Sequence, residues 1–299
     1  MPVLASAAHR WLERAYGWVG RRRPDQVFQR YAALCRASGV DRLYLVVSFD
    51  CDTPEDLQVV EAVCGRLADL QIPPVLAIPG ELMRQGAEVC RRLASAGAEF
   101  LNHGNVQHTR FDQALGTYRS CFFYDQLPAD VVRRDIVGGD AAVRDVVGRP
   151  AAGFRAPHFG TCQSPHQLRF LHGVLRELGC RLSSSTTPLY GWRYGPVFNR
   201  FGVWEVPVAG MGTRPTSVLD TWSCFAAPER RLTPDDYVRE AEALLAQLVR
   251  AGCGVLNCYA DPIHIHREER FFDVLRRWSA VAQAVTYTGL LERLPGRHD

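Results

Sequence analysis

Residues 42–70 read RLYLVVSFDCDTPEDLQVVEAVCGRLADL, and the reading of this stretch decides the fold. Arg42–Asp50 is an apolar, strand-like run. Thr53-Pro54-Glu55-Asp56 has the composition of a helix start, and the pattern predicts a helix over Pro54–Leu70. A strand running directly into a helix is the repeating unit of a parallel sheet.

The same rhythm continues outward. Strands are expected at Pro74–Ile78, Glu99–Asn102, Ala151–Arg155, Arg181–Ser184, Val203–Val208, Gly254–Tyr259 and Val285–Thr288. Helices are expected at Glu81–Ala96, Pro128–Val147, Pro165–Leu178, Thr233–Ala251 and Glu268–Ala282, with a loop from residue 103 to about Gln126. Seven or eight such units in ~250 residues fit a distorted (β/α) barrel of parallel strands better than an open sheet. No linker, repeat or low-complexity tract interrupts the pattern. Residues 41–299 therefore read as one barrel domain, preceded by a helical extension over residues 1–40.

Chemistry in such a barrel sits at the carboxyl ends of the strands, and three segments lie there. The first is Ser48-Phe49-Asp50-Cys51-Asp52-Thr53. Asp50 and Asp52 share strand parity and point the same way if the strand extends that far. One can bind a metal while the other takes a proton; equally, Asp52 can be a turn residue before the helix. The second is Asn102-His103-Gly104-Asn105-Val106-Gln107-His108. Neutral imidazoles are the usual partners of a carboxylate around zinc. The third is Gly153-Phe154-Arg155-Ala156-Pro157-His158-Phe159-Gly160. A guanidinium from Arg155 beside a carboxylate would depress its pKa and fix its orientation. The alternative for Arg155 is an ordinary salt bridge. Two carboxylates, two imidazoles and a guanidinium suit a metal-activated water that attacks amides and esters.

These ordered segments resemble the polysaccharide deacetylase family, carbohydrate esterase family four, related to nodulation-type chitooligosaccharide deacetylases. The resemblance covers roughly residues 42–290. Asp50-Cys51-Asp52-Thr53 is similar to the spaced version of the family's first motif, Asn102-His103-Gly104 to the start of its second, and Gly153-Phe154-Arg155-Ala156-Pro157 to its third. The resemblance implies a divalent metal, usually zinc. It makes Asp50 the general base, Asp52 and His103 metal ligands, and Arg155 the residue that orients Asp50.

Two departures stand out. The family's second motif is His-x-x-x-His, but the residue four after His103 is Gln107 and the histidine comes at His108. A helical loop would not bring His108 to the same face, whereas an irregular loop can absorb the extra residue. Gln107 is a poor zinc ligand, so His108 is expected to be the third ligand. Late in the chain, Asp261 stands where the family places the histidine that protonates the leaving amine, and His264 follows three residues on. A buried carboxylic acid could serve; His264 has the right intrinsic pKa, with Asp261 orienting it. Asp220-Thr221-Trp222 corresponds, with irregular spacing, to the intervening motif that lines the pocket.

Composition narrows the partners. All 35 basic residues are Arg, the net charge is +3, and no dense basic stripe points to nucleic acid. The ten cysteines form no Cys-x-x-Cys pair and read as buried, reduced hydrophobes. No apolar run reaches the ~18 residues that span a bilayer, and Arg10, Glu13 and Arg14 interrupt any secretory signal. A cytoplasmic location is expected. Residues 3–19 have helical periodicity through Leu4, Ala8, Trp11, Leu12, Ala15 and Trp18 or Val19, followed by Arg21-Arg22-Arg23. Such a helix either lies peripherally on an anionic membrane surface or packs on the domain or a partner subunit.

The expected activity is removal of an acetyl group from an N-acetylated sugar, either a glycan precursor or a free oligosaccharide. Two rivals remain: an allantoinase-like hydrolase of small amides, and a non-catalytic barrel that binds a glycan or a partner.

Overall fold

The computed structural model describes residues 7–114, 116–227 and 232–295. Leu4 of the expected N-terminal helix lies outside them. Two helices, α1 (Ala7–Arg22) and α2 (Pro24–Ala37), precede the sheet. Pro24 starts α2, since a first-turn N–H has no helical partner to lose. Val27, Phe28 and Tyr31 of α2 are buried in the core of the barrel, with Phe28 and Tyr31 against Trp192.

Strand β1 (Leu43–Asp50) is buried along its whole length, as a parallel strand covered on both faces must be. Helix α3 (Pro54–Asp69) begins at a capping box. Thr53 Oγ1 accepts the Asp56 N–H at 3.2 Å, and Asp56 Oδ2 accepts the backbone N–H groups of Thr53 and Asp52 at 3.0 and 3.1 Å. That cap fixes the backbone carrying Asp52. Next come β2 (Pro74–Ile78), α4 (Gly80–Gln85), α5 (Ala87–Ser95) and β3 (Glu99–Asn102). The single helix expected over 81–96 is broken at Gly86, where a Cβ would sit 2.8 Å from Leu57 Cδ1.

The expected loop after β3 contains a hairpin, β4 (Thr109–Asp112) and β5 (Thr117–Ser120), with Phe111 opposite Tyr118. Helix α6 (Ala129–Val147), β6 (Gly153–Phe154), α7 (Pro165–Glu177) and β7 (Leu182–Ser183) follow. A short helix α8 (Pro188–Tyr194) and strands β8 (Phe198–Asn199) and β9 (Trp204–Glu205) come next, and a π-helical turn spans Trp222–Ala226. The chain finishes with α9 (Pro234–Ala251), β10 (Gly254–Ala260), α10 (Pro262–Ile265), α11 (Glu269–Ser279), β11 (Gln283–Ala284) and α12 (Tyr287–Glu292). The last expected strand, 285–288, is replaced by the start of α12. Thr286 caps that helix, and buried Glu99 accepts the Tyr287 N–H at 3.0 Å.

The sheet order is β10-β1-β2-β3-β6-β7-β9-β8, with seven parallel strands from β10 to β9 and an antiparallel β8. Strand β11 pairs with Tyr44–Leu45 of β1. The sheet curls into a distorted barrel whose seam, among the described residues, has no ladder. Instead Ala209 N–H donates to Asn257 C=O at 2.8 Å, and Asn257 Nδ2 donates to the Val206 and Pro207 carbonyls at 2.9 and 3.0 Å. No described helix is long and apolar enough to cross a membrane.

Candidate active site

The strand parity read from sequence persists past the end of β1. Cys51 N–H donates to Ala77 C=O at 2.9 Å, so the ladder continues one residue beyond Asp50. Ser48, Asp50 and Asp52 therefore face one side. Arg155, fully buried just after β6, meets the first two. Its Nη1 donates to Asp50 Oδ1 and Oδ2 at 2.9 and 3.2 Å, and its Nη2 donates to Ser48 Oγ at 2.8 Å and Tyr287 Oη at 2.7 Å. Tyr287 in turn donates to Asn257 Oδ1 at 2.7 Å. The guanidinium is thus held from β1, α12 and β10 together.

The arginine does not have the expected net effect on Asp50. Burial pushes the Asp50 carboxyl above its ordinary range and outweighs the pull of Arg155 and His103 in the other direction. For Asp52 the balance is reversed. Burial raises it, but the imidazoles of His108 and His103 prevail and hold it well below the usual carboxylate range.

Asp52, His103 and His108 converge. Asp52 Oδ1 lies 2.8 Å from His108 Nε2 and 3.3 Å from His103 Nε2, and one ligand atom from each residue falls within 4.8 Å of the others. His103 Nδ1 is 2.8 Å from the Arg155 carbonyl. Because a carbonyl only accepts, that nitrogen carries the proton, which leaves Nε2 as the atom that can bind a cation when the ring is neutral. Asp52 Oδ1 and both nitrogens of His108 are buried without a hydrogen-bond partner. Buried polar atoms left without a hydrogen-bond partner call for a group that the chain itself does not supply. Two imidazole nitrogens and a carboxylate oxygen are a donor set that suits zinc.

The extra residue between the histidines is absorbed by an irregular loop. Gly104 adopts φ 75°, and a Cβ there would lie 2.3 Å from Asp135 Oδ2. Asp135 of α6 accepts the Asn105 and Val106 N–H groups at 3.1 and 2.7 Å and the Tyr124 hydroxyl at 2.5 Å. Asn102 ties the loop down by accepting the Gly104 N–H at 2.9 Å. Gln107 turns away from the cluster, its Nε2 donating to the Asp52 carbonyl at 3.3 Å. Asp135 and Tyr124 went unnoticed in the sequence because nothing local marks them.

A pocket of about 500 Å³ opens over Asp50 and Asp52, with Asp261 and His264 in its wall. Its rim includes Phe111 and Tyr118 from the hairpin, Phe159, Tyr259 and Trp222. His264 Nδ1 lies 3.0 Å from Asp261 Oδ2, which also accepts from Thr221 Oγ1 at 3.3 Å. Burial lowers the His264 pKa, but Asp261 and the nearby Asp56 outweigh it and raise it above its ordinary value. Asp220 does not face Asp261 by hydrogen bonding. It accepts the Ser223 N–H at 2.7 Å and caps the π-helical turn. Trp222 is half exposed on the pocket.

His158 is the residue in the third segment to which the sequence assigned no part. Its ring packs on His108 at 4.9 Å and on Phe123 at 4.7 Å, and its Nε2 lies 2.8 Å from the Cys121 carbonyl. Burial and the neighbouring His108 push its pKa down to about 4. The unfolded chain takes up this proton at about pH 6.5. Stability present above pH 6.5 is therefore lost as the pH falls toward 4, by up to about 3 kcal/mol at the low end. In chelator-treated protein, His158→Asn should flatten this acid limb, read from urea unfolding at a series of pH values. An unchanged limb would mean that His158 is not buried neutral.

No sequence-family profile and no curated protein matches this chain. Solved structures do. A protein from Mycobacterium smegmatis assigned as a polysaccharide deacetylase matches with a TM-score of 0.62 at 20% identity, over 86% of this chain and 91% of that one. A second protein so assigned, from Pseudomonas aeruginosa PAO1, matches with a TM-score of 0.60 at 10% identity, over 87% and 93%. The chain has the polysaccharide-deacetylase fold. An allantoinase matches comparably, with a TM-score of 0.59 at 11% identity over 85% and 90%. This fold is therefore shared by proteins named for different substrates, and substrate must be argued from the site.

Proposed function

We propose that the protein is a metal-dependent deacetylase that hydrolyses the acetamide of an N-acetylated sugar. The observation that carries this reading is the convergence of Asp52, His103 and His108, with their unpartnered buried atoms, beside the Asp50–Arg155 pair. Asp52 Oδ1 and the Nε2 atoms of His103 and His108 would hold a divalent cation, zinc by donor type. When bound, such a cation polarises a carbonyl and makes water acidic enough to attack at neutral pH. Asp50 takes the proton of the attacking water; its burial-raised pKa makes it a stronger base than an exposed carboxylate. Arg155 keeps that carboxylate oriented. The aromatic rim supplies apolar faces on which a sugar ring can stack.

His264 gives the proton that the leaving amine needs, and Asp261 orients its ring and favours the charged form. His264→Ala should impair amide substrates by about 10²–10⁴-fold, as loss of a general acid does. It should leave activated esters, whose leaving groups need no proton, nearly unaffected. Equal losses on both classes would remove His264 from this role; a selective amide defect in Asp261→Asn alone would transfer the role to Asp261.

The reading as a whole is tested by acetate release from N-acetylated sugars, measured on zinc-reconstituted protein alongside a panel of ureides. Hydrolysis of ureides alone would move the protein to small-amide chemistry. Protein that binds no metal and turns over neither class would be a binding module.

A further inference from the structure

Helix α1 has two faces, and the structure uses one of them. Gly17 and Gly20 seat the helix against the 215–216 segment: a Cβ at Gly17 would lie 3.2 Å from Thr216 Oγ1, and one at Gly20 would lie 2.3 Å from Pro215 Cγ. At Gly20 only glycine permits this approach to the rigid Pro215 ring, which fixes the rotation of α1 about its axis. Tyr16 and Val19 pack on the core from the same side. The side turned away from Gly20 and Tyr16 carries Trp11, Arg14, Trp18 and Arg22 at i, i+3, i+7 and i+11, and Arg21 flanks it, its Nη1 3.6 Å from where a Gly17 Cβ would sit. Trp11 is 68% exposed and Trp18 is 53% exposed. The Arg22 guanidinium sits 4.5 Å over the Trp18 ring.

Large exposed aromatics on a fixed face require an explanation, since an isolated Leu or Ala would leave α1 equally well seated. We propose that this face of α1 is a docking surface for an anionic lipid bilayer. Trp prefers the headgroup level, where its ring is half apolar and its N–H is wet. The arginines run out along their stems to reach phosphates. Charge complementarity selects the occupant: residues 10–23 contain five Arg and one acidic residue. A second copy is disfavoured, because a two-fold contact through this face would set Arg14, Arg21 and Arg22 against themselves. The segment that seats α1 runs on to Asp220-Thr221-Trp222, so one stretch of chain carries both the helix seat and part of the pocket wall. The proposal does not depend on the deacetylase reading.

The test is co-sedimentation of the full chain with phosphatidylcholine vesicles, with and without phosphatidylglycerol, at low and high salt. Binding is expected only with the anionic lipid, and salt should weaken it. Arg14→Gln, Arg21→Gln and Arg22→Gln together should lower partitioning by about a hundredfold, roughly fivefold for each charge near the surface. Trp11→Ala with Trp18→Ala should lower it by about tenfold or more. Circular dichroism and thermal melting should not change in either variant, because the removed groups are exposed. Absent binding to anionic vesicles, or binding that both variants leave intact, would overturn the proposal. So would a change in oligomeric state in the Trp variant without any vesicle binding, which would make the face a subunit contact.

Discussion

Replacing Asp50 with Asn is expected to lower turnover by about 10²–10⁴-fold while metal content stays at the wild-type level. The amide keeps the size of the carboxylate and one oxygen for Arg155, but it cannot take a proton from water. The same change removes the counter-charge of a fully buried guanidinium, whose nearest anion is Asp50 at 2.9 Å. Breaking a buried pair from one side typically costs about 3–5 kcal/mol. Arg155 retains Ser48 and Tyr287 as acceptors, which softens that cost. The melting temperature should therefore fall, and turnover must be measured well below it. Metal content separates the two effects, since Asp50 is not among the converging ligand atoms. Wild-type turnover in a folded, metal-loaded Asp50→Asn protein would sink the assignment of the base.

The second large effect is on metal affinity. His108→Ala is expected to weaken zinc binding by more than the 10–100-fold that losing an outer partner of a metal site costs. Gln107→Ala should leave affinity within a few-fold of wild type, because the Gln107 side chain points to the Asp52 carbonyl. Competition with a chromogenic chelator reads both. The opposite ranking would make Gln107 the third donor and would mean that the loop held by Asp135 is arranged differently in the metal-bound protein. The contrast is sharp because the two residues are adjacent and sit in one loop; only side-chain direction distinguishes them.

What was legible in the sequence follows from range. The strand positions of β2 and β3 coincide with their expected limits, and α6, α7 and α9 differ by a residue at their ends. These elements are written in a periodicity that a few neighbouring residues express. The parity that aligns Asp50 with Asp52 is of the same kind, and so is the helix start at Thr53. The hairpin β4–β5 was not legible: its strands are four residues each, largely solvent-facing, and joined by only one aromatic cross-strand pair. The strand expected over 285–288 gives way to α12, whose first-turn N–H groups are taken by the local Thr286 cap and also by Glu99, far away in the chain.

By itself, then, the sequence determined the alternation that makes a barrel, and it placed two aspartates, two histidines and an arginine at strand ends. Tertiary structure alone decided how they meet. Asp135 and Tyr124 shape the loop that turns His108 inward and Gln107 away. Tyr287 and Asn257, brought from the last helix and the strand at the seam, hold the arginine. Burial, a property of the whole fold, sets the direction of the Asp50 pKa against the charge beside it. Gly20 against Pro215 settles which face of α1 meets solvent. In each case the deciding partner is distant in sequence, and a periodicity of 2 or 3.6 residues carries no information about groups that only folding brings together.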